Sequence, residues 1–414
     1  MPELNTGDTA WVLGASALVL FMTPGLAFFY AGMTRAKSAL GMLMLNVYCM
    51  GIVPIVWALV AYTLAFSGDW HGLIGDFDFV GLRDIATTDL VAEDIPIPVV
   101  AFIAFQLTFA VITPALMSGA VADRIKFAAW AVFIPIWLLL VYTPIAHWVF
   151  GGGWAFDRGA LDFAGGAVVH MNAGAGALAL VIVLGRRQGW PNEPMHPHSL
   201  VLTMIGTGIL WFGWFGFNAG SALGANNVAA EAFLNTFLAA AAGMIGWLLA
   251  ETFKDGYPTT LGAASGVVAG LVAVTPAAGF VGGLDGIIIG LIAGVICFMG
   301  IQLKHRFNFD DSLDVVGIHG VGGLVGALSL GFLADASATG LEIREGLFFG
   351  GGLRLLGEQA LVSGVVLVYS FVVTFIIAKV LDMLIGLRVD EDEETRGLDV
   401  TQHAESAYNL ADIV

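Results

Sequence analysis

Charge is scarce in this chain: only 12% of its 414 residues are Asp, Glu, Lys or Arg, against 58% that are apolar. A water-soluble domain of this length cannot cover itself with so few polar side chains, so the solvent around it is lipid. Cysteine is nearly absent. Cys49 and Cys297 both fall inside apolar runs, away from any compartment that would pair them, and neither has neighbours suited to a metal. Basic residues are missing from Met1 to Asp8, where Glu3 and Asp8 are the only charges. That start lacks the positive segment of a cleavable signal, so the first apolar run is expected to be retained. Long polar stretches are also missing, apart from the segment after Arg388, and no soluble domain has room between the apolar runs.

What fills the chain is a series of apolar runs, each about 20 residues and long enough to cross a hydrocarbon core roughly 30 Å thick. Spans are predicted near Thr9–Met33, Ala39–Phe66, Val99–Val121, Phe127–Phe150, Gly165–Leu184, Leu200–Phe217, Ala229–Ala250, Gly262–Val274, Leu284–Leu303, Val315–Leu333 and Gln359–Leu387. The fold class is therefore an all-α membrane protein with eleven transmembrane helices. Its 55 glycines fit a tightly packed bundle, since close backbone approach replaces the hydrophobic force that lipid does not supply. An odd count places the termini on opposite sides. With the N-terminus outside, Arg35, Lys37, Arg124, Lys126, Arg186, Arg187, Lys254, Lys304, Arg306, Lys379, Arg388 and Arg396 fall on the cytoplasmic side, and only Arg83, Arg158, Arg344 and Arg354 outside. The expected domains are a membrane domain over 1–387 and a cytoplasmic tail over 388–414. Net charge is −17, and acids at the outer loops can enrich cations only weakly through screening salt.

The polar residues inside the spans carry the functional signal. His170 lies in VVHMNAGAGALAL and His319 in GIHGVGGLVGALSL. They sit in spans five and ten, so half-repeats of about 9–184 and 200–333 would be inverted relative to one another, with the helix at about 359–387 added last. An ionisable residue at membrane depth is costly and marks function by default; the bland alternative is a histidine bonded to a neighbouring helix. Two neutral imidazoles can share a proton and form a polar rail, whereas two histidines without Cys or carboxylate at ligand spacing make a poor metal site. Asp162, about two helical turns before His170, suits both a helix cap and a cation-holding carboxylate. Phe105, Phe109, Phe150, Trp211, Trp214 and Phe217 form an aromatic set that can attract cations or close a pore, or simply anchor and pack the spans. No nucleophile and base pair emerges, so an enzyme is not expected, nor a cofactor, nor a nucleic-acid partner.

The strings ALDFAGGAVVHMNAG (Ala160 to Gly174), WFGWFGFNAGSA (Trp211 to Ala222), VTPAAGFVG (Val274 to Gly282) and DVVGIHGVGG (Asp314 to Gly323) resemble the ammonium transporter, methylammonium permease and Rhesus family, and its bacterial and archaeal ammonium transporter branch in particular. ALVLFMTPGLAFFYAGM near the start and GLRVDEDEETRGLDVTQHAESAY in the tail extend the likeness over nearly the whole chain. The resemblance implies a homotrimer in the cell (inner) membrane, lipid around it, and one pore per subunit for ammonium or ammonia, with methylammonium as analogue. It implies His170 and His319 as a twin-histidine pair, Phe109 and Phe217 as a gate, and Phe109, Phe150, Ser221, Asp162 and Trp214 at recruitment. Gln106, Phe105, Asn218, Thr275 and Asp314 are expected to support the pore. One departure is Phe150, which stands where the family commonly has Trp in His-x-x-Trp-Gly-Gly-Gly; phenyl is the weaker cation partner and has no N–H, and Trp148 is out of register. The expected mechanism is recruitment of ammonium, proton loss near the gate, and ammonia passage along the histidines, with or without a proton relay. An electroneutral Rhesus-like gas channel and an ammonium sensor working through a PII-type signalling protein at the tail are the alternatives.

Overall fold

The computed structural model describes residues 3–408, and among these all regular structure is helical. Ten helices are long and apolar enough to cross a membrane: α1 (Thr6–Met33), α2 (Ala36–Phe66), α3 (Val99–Met117), α4 (Phe127–Asp157), α5 (Gly166–Leu184), α6 (Leu200–Gly220), α7 (Asn227–Asp255), α9 (Asp285–Phe307), α10 (Val316–Leu333) and α11 (Arg354–Ile385). Between α7 and α9 lies a shorter apolar helix, α8 (Thr260–Val274). Its 15 residues reach about 22 Å, short of the hydrocarbon thickness. Almost every residue of α8 is buried by neighbouring helices, so protein rather than lipid forms its surroundings.

Four helix starts are capped by local side chains, which satisfy freed amides where water is scarce. The Asn5 side chain accepts from Gly7 N and Asp8 N, Ser199 Oγ from Leu202 N, Asn226 Oδ1 from Ala229 N and Thr259 Oγ1 from Gly262 N. α1 and α6 run in close contact, and at Gly206 an added Cβ would strike the Phe29 backbone. Only glycine permits that approach. Four π-helical turns interrupt the helices, at Trp57–Ala61, Leu138–Tyr142, Gly166–Met171 and Val316–Gly320. Such turns concentrate at functional places, and the last two carry His170 and His319.

Several of the basic residues assigned to one side meet at one end of the bundle. Arg35 pairs with Asp123 at 2.9 Å, Arg187 with Asp310 at 2.8 Å, and Lys304 with Asp314 at 2.6 Å. Arg124 is wholly buried, donating to Gly185 O at 2.9 Å and Ser312 Oγ at 2.7 Å. Burial pulls its guanidinium down to about 10, and Asp310 opposes that fall. At the opposite end Arg158 pairs with Glu358 at 2.7 Å.

The tail does not hang free. Its helices α12 (Glu391–Arg396) and α13 (Leu398–His403) pack on the Arg-rich end. The Asp399 carboxylate accepts from Leu40 N at 3.1 Å and Gly41 N at 2.8 Å, and Lys37 Nζ donates to Glu394 O at 2.9 Å. Arg388 holds the buried Glu394 at 2.6 Å. Residues 409–414 of the expected tail segment, and Met1 and Pro2 of the expected membrane domain, lie outside the described residues.

Candidate functional site

At the Arg158 end, the bundle opens into a cavity of about 500 Å³ whose lining includes Gln106, Phe109, Phe150, Asp162 and Ser221. Ser221 Oγ donates to Phe217 O at 2.9 Å, which leaves its lone pairs for a donor in the cavity. Gln106 Oε1 is buried and unpartnered. Phe150 faces the same space. Trp148, two residues earlier, turns away and donates its indole N–H to Leu73 O at 2.8 Å. The cavity therefore offers hydroxyl and carbonyl acceptors between aromatic faces, a lining suited to a small cation with several N–H donors.

Below it the aromatic rings close the path. Phe109 and Phe217 lie with centroids 4.3 Å apart and planes tilted by 38°, and Phe105 packs edge-on behind Phe109 at 4.9 Å. Past Phe217 comes His170, whose ring is 6.0 Å away and nearly parallel. His170 Nδ1 faces His319 Nδ1 at 3.2 Å, and His170 Nε2 has no protein partner. A narrow apolar void of about 10 Å³ runs alongside the two rings, walled in part by Leu26, Ile112 and Val268. The pair is thus the polar element in an otherwise largely apolar lining.

Asp162 explains why His170 stands where it does. Its Oδ1 accepts from Gly165 N at 2.8 Å and Gly166 N at 2.6 Å, and its Oδ2 from Ala167 N at 2.7 Å and Val168 N at 3.3 Å. The carboxylate holds the first amides of the π turn that carries the histidine. Burial pushes this carboxyl up, and the four backbone donors push back. Gln359 braces the same loop, exchanging hydrogen bonds with Leu161 N at 2.7 Å and Leu161 O at 2.8 Å.

A scan against family models matches residues 10–408 to the Ammonium Transporter Family. The chain belongs to the ammonium transporter family. An ammonium transporter of Mycobacterium tuberculosis is 50% identical over 432 residues, covering 98% of this chain and 91% of that one. The crystal structure of Candida albicans Mep2 superposes with a TM-score of 0.88 at 36% identity, over 94% of this chain and 88% of that one. A structure titled Sensor Amt Protein superposes at 0.87 with 29% identity, over 96% and 98%. This family member is accordingly a multi-pass protein of the cell membrane with relatives that are transport proteins.

Not every expected residue lies where it was expected. Trp214, expected at recruitment, does not line the cavity but lies on the His170 side of the Phe109–Phe217 pair, stacked on His170 at 5.4 Å with its N–H on Thr275 Oγ1 at 2.8 Å. Thr275 relays that bond to Leu271 O at 2.7 Å. Asn218 points to Thr236 Oγ1 at 2.9 Å and ties α6 to α7. Asp314 is taken by Lys304. The carboxylate that caps the second π turn is Asp311, accepting from Val316 N at 2.7 Å. Eight positions separate Asp162 from His170, and eight separate Asp311 from His319. That equal spacing was available in the sequence and is the signal that singles out Asp311.

Proposed function

We propose that this transporter takes up ammonium by recruiting it in the outer cavity, removing a proton at the Phe109/Phe217 gate, and passing ammonia along His170 and His319. The observation that carries the reading is the order of acceptor-lined cavity, ring pair and contacting imidazoles, with a small apolar void beside the imidazoles. A bare ammonium ion against such an apolar lining bears a large desolvation cost, and neutral ammonia bears only that of a small polar molecule. Desolvation also favours proton loss as the ion leaves the cavity. The proton either returns outside or follows through the histidines; the contact at 3.2 Å favours the second course and net uptake of charge.

In this reading the chain has eleven membrane helices, the short α8 being surrounded by protein rather than lipid, the N-terminus is outside, and the end bearing Arg124 and the tail is cytoplasmic, in keeping with the positive-inside rule. The two halves then run in opposite senses, consistent with the matched Asp–His spacings. The family resemblance adds a homotrimer with one pore per subunit and a PII-type partner at the tail face.

Solid-supported-membrane current after ammonium pulses on proteoliposomes tests it, with His170→Ala and His319→Ala beside the unaltered protein. A sustained current that either change abolishes or turns into uncharged flux supports the relay. Internal alkalinisation without current refutes the relay in favour of a gas channel. Binding with neither response refutes transport in favour of a sensor.

A further inference from the structure

The outward side of α11 carries charge only near its ends. At 100° per residue, Arg354, Leu361, Val368, Val372 and Lys379 fall on one stripe about 40° wide. Leu361, Val368 and Val372 are 43%, 64% and 45% exposed, and the two basic residues that end the stripe are exposed as well. Neither cation enters an ion pair among the described residues, and Lys379 Nζ rests over the Phe375 ring at 5.8 Å. They stand on the order of 37 Å apart along the helix, so each reaches one headgroup layer of a membrane whose hydrocarbon core is roughly 30 Å thick. Lys379 belongs to the end that bears Lys126, which reaches Ile385 O at 3.5 Å.

Midway along this stripe α11 leaves a gap against α5 and α10. It is a crevice of about 390 Å³ whose lining includes Gly174 of α5, Val316, Gly320 and Leu324 of α10, and Phe371 and Val372 of α11, and every lining residue is apolar. Two helices meet backbone to backbone at its floor, where a Cβ added at Gly174 would strike Gly320. Val316–Gly320 is also the π turn that carries His319, and the crevice lies on the face of that turn away from the ring. A lining without a polar side chain suits neither a headgroup nor a polar solute, and it leaves hydrocarbon as the occupant. A helix about 10 Å across does not enter a crevice of this size, whereas a single hydrocarbon chain does.

We propose that the crevice seats one acyl chain of an anionic phospholipid whose phosphate lies on Lys379. Along α11 it begins at Val372, about 10 Å from Lys379, and ends at Leu367, about 18 Å away, which matches a chain that fills one leaflet of roughly 15 Å. Arg354 stands about 20 Å from the nearer end, beyond the depth of one leaflet, so the lipid comes from the leaflet on the Lys379 side. The ammonium group offers three donors and has no acid of its own, and an acidic headgroup supplies the missing charge. A zwitterionic headgroup sets its own cation beside Lys379 and gains less. The seated chain packs on the reverse of the π turn and against the Gly174–Gly320 contact, so lipid rather than protein backs the element that holds His319.

The test uses the full chain in phosphatidylcholine nanodiscs that carry a trace of phosphatidylglycerol or phosphatidylcholine with a diazirine at the end of one acyl chain. Irradiation and peptide mass spectrometry report labelling at 316–324, with Leu59 on α2, which is 57% exposed, as the reference for ordinary bilayer contact. The phosphatidylglycerol probe is expected to label the crevice about fivefold more than the phosphatidylcholine probe, the worth of one basic residue at a membrane surface, with Leu59 labelled equally by both. Lys379→Gln brings the two probes level at the crevice, and Lys379→Arg keeps them apart. Val372→Trp, built on an exposed position, blocks labelling at 316–324 and spares Leu59. Equal labelling by both probes in the unaltered protein, or a preference that survives Lys379→Gln, overturns the headgroup pairing. Crevice labelling that only matches Leu59 and persists in Val372→Trp overturns the acyl site in favour of ordinary bilayer contact. Labelling of Leu59 with none at 316–324 overturns it in favour of protein over the crevice, such as a second copy of this chain.

Discussion

Replacing Asp162 by Ala removes both acceptors from four backbone N–H groups that start the π turn under His170. Each oxygen of the carboxylate serves two donors, so the loss is counted per oxygen rather than per contact. A hydrogen bond to a charged group contributes about 1.5–3 kcal/mol, which puts the loss at about 3–6 kcal/mol for the two oxygens. That is a large share of the stability of an ordinary domain, and it falls on the segment that aims His170 at His319. Asp162→Asn keeps the oxygen that serves Gly165 and Gly166 and presents its amide to Ala167 and Val168, so about half the loss is expected. Thermal unfolding of the purified protein and methylammonium uptake by cells, measured on both variants, check the gradation. The Ala variant should show no uptake and a clearly lower Tm, and the Asn variant an intermediate value of each. Wild-type uptake in Asp162→Ala, or equal damage from Asn and Ala, would refute the reasoning.

Phe150→Trp restores an indole facing the cavity; a cation–π gain of about 0.5–1 kcal/mol predicts methylammonium binding two- to fivefold tighter by calorimetry. Gly174→Val places a side chain on the Gly320 backbone, where an added Cβ already strikes it; uptake should be lost as the two π turns are forced apart, seen as failure of a crystal or cryo-EM map to retain the His170–His319 contact. Asp399→Ala frees Leu40 N and Gly41 N and should make the tail the first site of limited proteolysis, with the membrane helices still intact on a gel. The Asp310 carboxyl is pulled up by burial, yet Arg187 and Arg124 hold it below its usual range. Its contribution is therefore complete above the unfolded aspartate value of about 3.9 and is lost as pH falls toward the folded one. Tm is expected to decline below about pH 4, and less steeply in Arg187→Gln.

The sequence made the path through the membrane legible at the level of residue type. His170 and His319 stood out because an imidazole within an apolar run is costly and two of them recur at matching places, and the Phe109/Phe217 contact followed from the resemblance rather than from periodicity. What periodicity does not carry is which neighbour a side chain meets. Trp214 sits three residues from Phe217, near enough in sequence for recruitment, but its indole N–H is drawn to Thr275 on another helix. The Asp310–Asp311 doublet hid two roles in adjacent residues, one facing Arg187 and the other capping α10. Asp314, closer to His319, drew the expectation, and residue type alone does not show that Lys304, ten residues earlier, takes its carboxylate. α8 reads as a span by hydropathy and falls short in length because its environment is helices. The tail reads only as a long polar segment, since the backbone amides that bind Asp399 have no signature in side-chain composition.

The His170–His319 contact joins two like nitrogens, and so only one of the rings can own the hydrogen between them. The outward-facing nitrogen of one ring is then bare while that of the other is protonated, which gives the pair a polarity. A proton accepted at the bare end and released at the far end shifts the shared hydrogen across and leaves the polarity reversed. A second proton travelling the same way must wait until the rings are reset, whereas a neutral ammonia molecule leaves the arrangement as it found it. On the proposed relay the pair would therefore behave as a one-bit register: each charge that crossed would be recorded, and the resetting rate would cap the current without capping the flow of gas.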